Sequence, residues 1–401
     1  MLQRLFLFAI VTLFFSNCSK VKTDTLFTQL PSSDTGIDFI NEVKNGEDMN
    51  IFKYRNFYNG GGVAIGDINN DGLSDVYFTS NLGKNKLYLN KGNFKFEDIS
   101  LKAGVEGKKV WSTGVVMVDI NADGLLDIYV CNAGNSKGSQ QNNELFINNG
   151  NLTFTEKAEA YNLANTGITT HAAFFDYDKD GDLDVYILNN SFIPVSSLNY
   201  SNKRELRDKD WDVADILKGG GDKLLRNDNG KFVDVSEAAG IYGSLIGFGL
   251  GVTVGDVNGD LFPDIYISND FYERDYLYIN NKNGTFSEKI QDWTMHLSQS
   301  SMGADMADVN NDGKADIFVT DMLPEPDDRL KTTTNFENYD LFTRKLNLDF
   351  YTQFMQNTLQ LNNGNQQFSE IANYAGVAKT DWSWGALLFD MDNDGLKDIY
   401  V

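Results

Sequence analysis

Short runs of β-branched and aromatic residues recur along this chain, each cut off by a polar stretch rich in Asp and Asn. Val63-Ala-Ile-Gly66 leads into one such stretch and Asp75-Val-Tyr-Phe78 leads out of it. Runs of this kind, bounded by Asn, Asp and Gly, predict strands. A second pattern follows, Lys86-Leu-Tyr-Leu-Asn90 to Phe96, with relatives at Glu144 to Gly150, Lys223 to Phe232, Tyr276 to Phe286 and Thr358 to Phe368. Strand, Asn/Gly turn and strand is a hairpin signal. A third piece, such as Ala103-Gly-Val, Ala239-Gly-Ile or Ala375-Gly-Val, leads to the next strand. Each unit therefore supplies about four strands, the size of one propeller blade.

The polar stretch is the most regular part of the unit. Its first two copies carry Asp67, Asn69, Asp71 and Asp75, then Asp119, Asn121, Asp123 and Asp127. The third has Asp176, Asp178, Asp180 and Asp184, and the fourth has Asp256, Asn258, Asp260 and Asp264. The fifth has Asp308, Asn310, Asp312 and Asp316, and the sixth Asp390, Asp392, Asp394 and Asp398. These oxygen-bearing side chains hold positions 1, 3, 5 and 9, with Gly at position 6 in five copies of six. Calcium takes about six to eight oxygen ligands, and alternating side chains around a Gly-permitted turn can wrap such an ion from one segment. Five or six bound Ca2+ ions are expected. An EF-hand opens the same way, but it needs a Glu at position 12 and a helix on each side. Position 12 here is Phe78, Val130, Ile187, Ile267, Val319 or Val401, all apolar. The unit is strand–loop–strand.

The copies begin at residues 67, 119, 176, 256, 308 and 390, and the two long intervals hold insertions. One, 189–221, contains Lys203, Arg204, Arg207 and Trp211; the other, 321–357, contains Phe336, Tyr339, Phe342, Phe350, Tyr351 and Phe354. Insertions in repeat proteins map to loops, often on the binding face; capping of the propeller is the alternative. Upstream, Thr35 to Phe39 reads as a strand. The sequence stops inside the strand after the sixth loop, so the domain expected over 26–401 is incomplete at its C-terminus.

Residues 1–17 form an expected signal peptide, with Arg4 ahead of an apolar run from Leu5 to Phe15. That run is too short for a bilayer span, which takes about 20 residues. Cys18 directly after it resembles a bacterial lipoprotein cleavage site, although Phe15 and Asn17 depart from the usual residues. A lipidated Cys18 with a tether over 18–25 would place the protein at a bacterial outer membrane or cell surface; an ordinary signal peptide is the plainer alternative. The formal net charge is −23, much of it in the loops. An acidic surface repels phosphate backbones, which disfavours nucleic acid as a partner. Of the two cysteines, Cys131 reads as a small buried strand residue.

With these loops and the Leu-Tyr-x-Asn-x-Gly hairpins together, residues 26–401 resemble the FG-GAP/VCBS repeat family. More narrowly they are similar to bacterial proteins related to cartilage acidic protein, many of which carry a C-terminal ASPIC/UnbV domain. The resemblance implies an all-β, integrin-α-like β-propeller, commonly seven-bladed, with about six blades represented here and calcium loops on one face. Loop four departs from the pattern, with Leu261 where Gly belongs, and is expected to be distorted.

Paired carboxylates serve as acid and base in glycoside cleavage, but that chemistry needs one distinctive pair, and six copies indicate structural metal. Gly134 to Gly138 fits G-x-S-x-G without the strand–turn–helix of a nucleophile elbow. His171 and His296 read as turn residues ahead of strands, and Trp111, Trp382 and Trp384 as packing residues. The expectation is a non-enzymatic binding or adhesion module for a protein or glycan ligand. The alternatives are a propeller-based polysaccharide-degrading enzyme or its accessory unit, and a spacer for a further domain.

Overall fold

The structure, a computed structural model, describes residues 25–47, 49–133, 141–191, 193, 201–271, 273–335 and 337–401. Strands follow one another in up-and-down order. Blade 1 is β1 (Val63–Gly66), β2 (Asp75–Phe78), β3 (Lys86–Asn90) and β4 (Phe96–Asp98). Blade 2 is β5 (Ser112–Val118), β6 (Asp127–Asn132), β7 (Glu144–Asn148) and β8 (Phe154–Glu156). Blade 3 is β9 (Thr169–Phe175), β10 (Asp184–Asn189), β11 (Lys223–Asn227) and β12 (Phe232–Asp234). Blade 4 is β13 (Gly249–Gly255), β14 (Asp264–Asn269), β15 (Tyr276–Asn280) and β16 (Phe286–Glu288). After β17 (Leu297–Ser298), blade 5 begins with β18 (Ala304–Ala307) and β19 (Asp316–Val319). The second insertion carries β20 (Met322–Leu323) and β21 (Gln353–Phe354), and blade 5 closes with β22 (Thr358–Asn362) and β23 (Phe368–Glu370). β24 (Asp381–Trp382) pairs with β20, and β25 (Leu387–Phe389) with β26 (Asp398–Tyr400) forms a sixth hairpin. The chain is an all-β propeller, with five four-stranded blades and that hairpin among the described residues.

Blades stack face to face, so the second strands are covered on both sides. Every residue of β6, β10 and β14 is buried, which is why these strands read as continuous apolar runs rather than alternating ones. Tyr77, Leu87, Val115, Ile128 and Phe146 fill the layer between blades 1 and 2; Tyr186, Leu188, Ile265, Ile267 and Tyr278 fill that between 3 and 4. First strands lie side by side around the centre, where crowding excludes side chains. A Cβ on Gly114 would stand 2.6 Å from the Thr170 carbonyl oxygen. The Thr113 hydroxyl donates to Thr169 O at 2.6 Å and the Thr170 hydroxyl to Gly249 O at 2.9 Å, joining blades 2, 3 and 4.

Up-and-down order puts the Asp-rich loops and the Asn/Gly hairpins at one end of the propeller. Connections from second to third strand, both insertions included, lie at the other. Parts of this differ from expectation. Thr35 to Phe39 is not a strand: Ser32–Thr35 is one helical turn, and Gly36 at φ 82° ends it against blade 1. The Ala-Gly pieces close one-turn helices such as Ser100–Ala103 and Ser236–Ala239, each capped by a left-handed Gly. The second insertion holds helices Asp327–Thr333 and Tyr339–Asn347. Trp111 packs at 1% exposure, whereas Trp382 and Trp384 are 52% and 41% exposed. His171 lies within β9 opposite Leu188, half-buried, with its pKa lowered by desolvation.

At the insertion end, one residue ahead of each third strand accepts the amide at the end of the second. Blades 1, 2 and 5 use Asn85, Asn143 and Asn357, at 2.7–2.8 Å. Blades 3 and 4 use Asp222 and Asp275. Burial pushes both carboxyls up to about 7, against the lowering effect of their hydrogen bonds, including those from Tyr186 and Tyr266. Unfolded, they titrate near 3.8, so between these values the folded state holds the extra protons and stability falls as pH rises. The Asp222→Asn/Asp275→Asn variant, with calcium saturating throughout, is expected to gain stability over the parent at about pH 8 and lose that advantage near pH 4.5. Urea midpoints across that range measure it; parallel curves would refute it.

Candidate metal centres

Each Asp-rich loop wraps around its own first aspartate. In loop one, Asp71 N–H donates to Asp67 Oδ1 at 3.1 Å and Gly72 N–H to Oδ2 at 2.7 Å. The same pair of bonds recurs on Asp119, Asp176, Asp256, Asp308 and Asp390. Position 5 repeats the device, as Asp71, Asp123, Asp180, Asp260, Asp312 and Asp394 each accept the amide of position 7. For Asp67, desolvation raises the pKa, but bonds from Gly72, Asp71, Asn69 and Asn70 outweigh it and leave the carboxyl below its usual value. Position 6 is left-handed in all six loops. Leu261 adopts it at φ 70° and 78% exposure, keeps the bond to Asp256 Oδ2 at 2.7 Å, and so leaves loop four on the common path rather than distorted.

The aspartate at position 9 does something else. Asp75, Asp127, Asp184, Asp264 and Asp316 are fully buried and open the second strand of their blades. Asp127 Oδ2 accepts Ile120 N–H at 3.2 Å and its Oδ1 accepts Asn148 N–H at 2.7 Å. One carboxylate thus fastens the loop to the third strand. Burial pushes Asp127 up to about 6 and Asp184 and Asp264 up to about 7; Asp75 and Asp316 are raised for the same reason. Asp398 accepts Met391 N–H at 3.0 Å in loop six.

The asparagine of the hairpin motif, which the sequence shows only as a turn residue, completes the connection. Asn148 Nδ2 donates to Leu126 O and, across the blade boundary, to Ile68 O in loop one at 2.8 Å. Asn280 reaches Tyr177 O and Asn362 reaches Val257 O in the same way. Sequence reasoning could have found this only from the invariance of Asn at that hairpin position within the chain.

Loops three and six, with Asp at position 3, bring one carboxylate oxygen each from Asp176, Asp178 and Asp184, and from Asp390, Asp392 and Asp398, within 4.8 Å of one another. Asp180 and Asp394 lie outside these triplets. The other four loops carry Asn69, Asn121, Asn258 and Asn310 at position 3. Two oxygens in loop three, Asp178 Oδ1 and Asp182 Oδ1, are buried without a hydrogen-bond partner, and burial raises both pKa values. An oxygen-only donor set with orphaned carboxylate atoms fits a hard divalent cation. In loops four and five a lysine pairs with the position-5 aspartate instead, Lys282 at 3.3 Å from Asp260 and Lys314 at 2.9 Å from Asp312.

The model of the FG-GAP-like repeat matches residues 48–130, 132–187, 256–319 and 346–401, well over half of the chain. The chain belongs to the FG-GAP-like repeat family. Over 139 residues it is 34% identical to cartilage acidic protein 1 of Xenopus tropicalis, and over 144 residues 31% identical to that of Homo sapiens. These alignments cover 33% and 35% of this chain but only 20% and 21% of the relatives. Among solved structures, a lectin from Agrocybe aegerita that recognises non-reducing terminal N-acetylglucosamine aligns with 84% of this chain and 73% of its own, at TM-score 0.43 and 17% identity. The V. cholerae biofilm matrix protein Bap1 aligns with 65% of this chain and 34% of its own, at TM-score 0.33 and 12% identity.

Three substitutions test this FG-GAP-like architecture. Asn148→Ala, which leaves Ile68 O without its donor, is expected to cost about 1–3 kcal/mol in denaturant unfolding. Asn90→Ala should cost less, since among the described residues Asn90 Nδ2 donates only to Ser74 O within its own blade, while its Oδ1 accepts Gly92 N–H just as Asn148 Oδ1 accepts Gly150 N–H; equal losses would sink the cross-blade role. Leu261→Gly, by relieving a left-handed leucine, is expected to stabilise the metal-stripped protein by about 1 kcal/mol, read as a higher unfolding midpoint.

Proposed function

We propose that this chain is an exported, calcium-stabilised propeller module that binds a protein or glycan ligand, held at a bacterial outer membrane or cell surface by a lipid on Cys18. Cys18 and the leader lie outside the described residues, as does the Gly134–Gly138 stretch. The observation that carries the binding role is the meeting of both insertions at the end away from the metal loops. Arg204 of the first insertion, 2% exposed, bonds Glu273 at 2.8 Å and Asp349 of the second at 3.1 Å. Arg274 of blade 4 also reaches Asp349, at 3.3 Å. Ile193, Trp211, Leu245, Phe248 and Phe350 pack beneath them. Described parts of two separate additions to the repeat are thus joined by ion pairs and a shared apolar cluster, while the other end keeps its uniform loops.

Calcium's part in this reading is structural. The ions would be held by positions 1, 3, 5 and 9 of the loops and would neutralise carboxylates that burial otherwise drives toward protonation. A role in binding rather than catalysis suits six near-identical acidic loops, none singled out as a reacting pair. The chain spans about a fifth of the curated relatives it matches, so what those whole proteins do is not carried over.

The test uses the full chain purified from a bacterial membrane fraction. Calcium is expected to raise the melting temperature by roughly 10 °C over the metal-stripped protein, with five or six ions bound per chain and an acylated Cys18 in the N-terminal peptide mass. Arrays of glycans and envelope proteins, probed with and without calcium, then look for the ligand. No thermal shift together with no bound calcium would overturn the metal reading. A free N-terminus beyond residue 18 would remove the lipid anchor.

A further inference from the structure

We propose that a groove in the second insertion binds a neutral pyranose sugar; this deepens the binding role above and rests on it. Its floor is the two-stranded parallel ribbon of β17 and β21, registered Leu297 to Gln353 and Ser298 to Phe354. Gln299 N–H fixes the ribbon by donating to Phe354 O and to Asp321 Oδ2, both at 3.0 Å. The wall is the helix Tyr339–Asn347, whose Phe342 ring stacks on Phe354 at 5.9 Å and 19°. Between them lies a cavity of about 440 Å³ lined by Tyr339, Phe342, Phe354, Gln299, Gln353 and Glu337, among others. Small-ligand sites occupy roughly 300–1,000 Å³ and combine apolar walls with a few placed polar groups.

The chemistry of the lining selects the ligand class. Phe354 and Tyr339 are 45% and 79% exposed, so aromatic surface meets solvent beside the Phe342–Phe354 stack. The weakly positive C–H face of a pyranose is complementary to the negative face of an aromatic ring. Its hydroxyls both donate and accept, which matches the side-chain amide of the half-buried Gln299, while Gln353, 3% exposed, holds the floor by donating to Phe350 O at 2.6 Å. Glu337 adds an acceptor whose charge is balanced by Lys345 at 3.2 Å, an ammonium only 3% exposed. The groove is therefore locally neutral on a chain of formal charge −23, which disfavours anionic ligands. A peptide docking by strand addition would find little edge, because β17 and β21 are two residues each.

The full calcium-loaded chain is titrated with methyl glucoside, methyl galactoside, methyl mannoside and methyl N-acetylglucosaminide, followed by saturation-transfer NMR. At least one is expected to bind, with saturation strongest on the ring C–H protons. Tyr339→Ala and Phe354→Ala should each weaken it about tenfold or more, and Gln299→Ala about fivefold. Tyr339 is exposed, so its substitution should leave the melting temperature unchanged and separate lost binding from lost folding. Sugar binding that survives both aromatic substitutions would overturn the groove while leaving a glycan-binding module standing. A protein ligand displaced by Tyr339→Ala, with no pyranoside bound, would overturn the sugar and make the groove a protein dock. No ligand of any kind for the folded chain would sink both readings.

Discussion

A buried aspartate at the head of each second strand is the constraint on which the rest of the propeller depends. An ionised carboxylate in a packed interior is costly unless its oxygens are engaged. Asp127 shows how this is met, with Ile120 N–H on one oxygen and Asn148 N–H on the other. The same side chain therefore fixes the loop, opens the strand and aligns the hairpin. Even so, desolvation pushes its pKa up to about 6.

From that staple the connection passes between blades. Asn148 holds the amide that meets Asp127 and sends its own side chain to Ile68 O in the preceding loop. Loops also touch directly, with Asn70 Nδ2 on Gly124 O and Asn311 Nδ2 on Gly395 O. One loop is thus tied to its neighbour, which suits blades whose hydrophobic layers lie between them. The opposite end is free of this repetition. There the repeat tolerates additions, and Arg204, Arg274 and Asp349 join two of them over blade 4.

Much of this was legible because the repeat supplies its own comparison. Six copies of one acidic pattern, each between short apolar runs, give the strand–loop–strand unit without a partner sequence. Where a feature has a local cause with a single cue, the reading failed. Thr35 to Phe39 reads as a strand in the sequence, but a left-handed Gly36 closes the helical turn Ser32–Thr35 there. Loop four was expected to be distorted for want of Gly at position 6. Gly259 at position 4 and a left-handed Leu261 let the same hydrogen bonds form.

The amino-acid sequence by itself determined the periodic part: which residues form strands, where the acidic loops fall, and which side chains could surround a cation. These follow from short-range rules of alternation, turn chemistry and spacing, repeated until chance is excluded. Only the tertiary structure decided that both insertions share one end, that Asn148, Asn280 and Asn362 bind across blade boundaries, and that Asp222 and Asp275 stand where other blades use asparagine. Those facts depend on contacts between residues as far apart as Arg204 and Asp349. No spacing along the chain encodes them, because packing of one blade against the next is what brings them together.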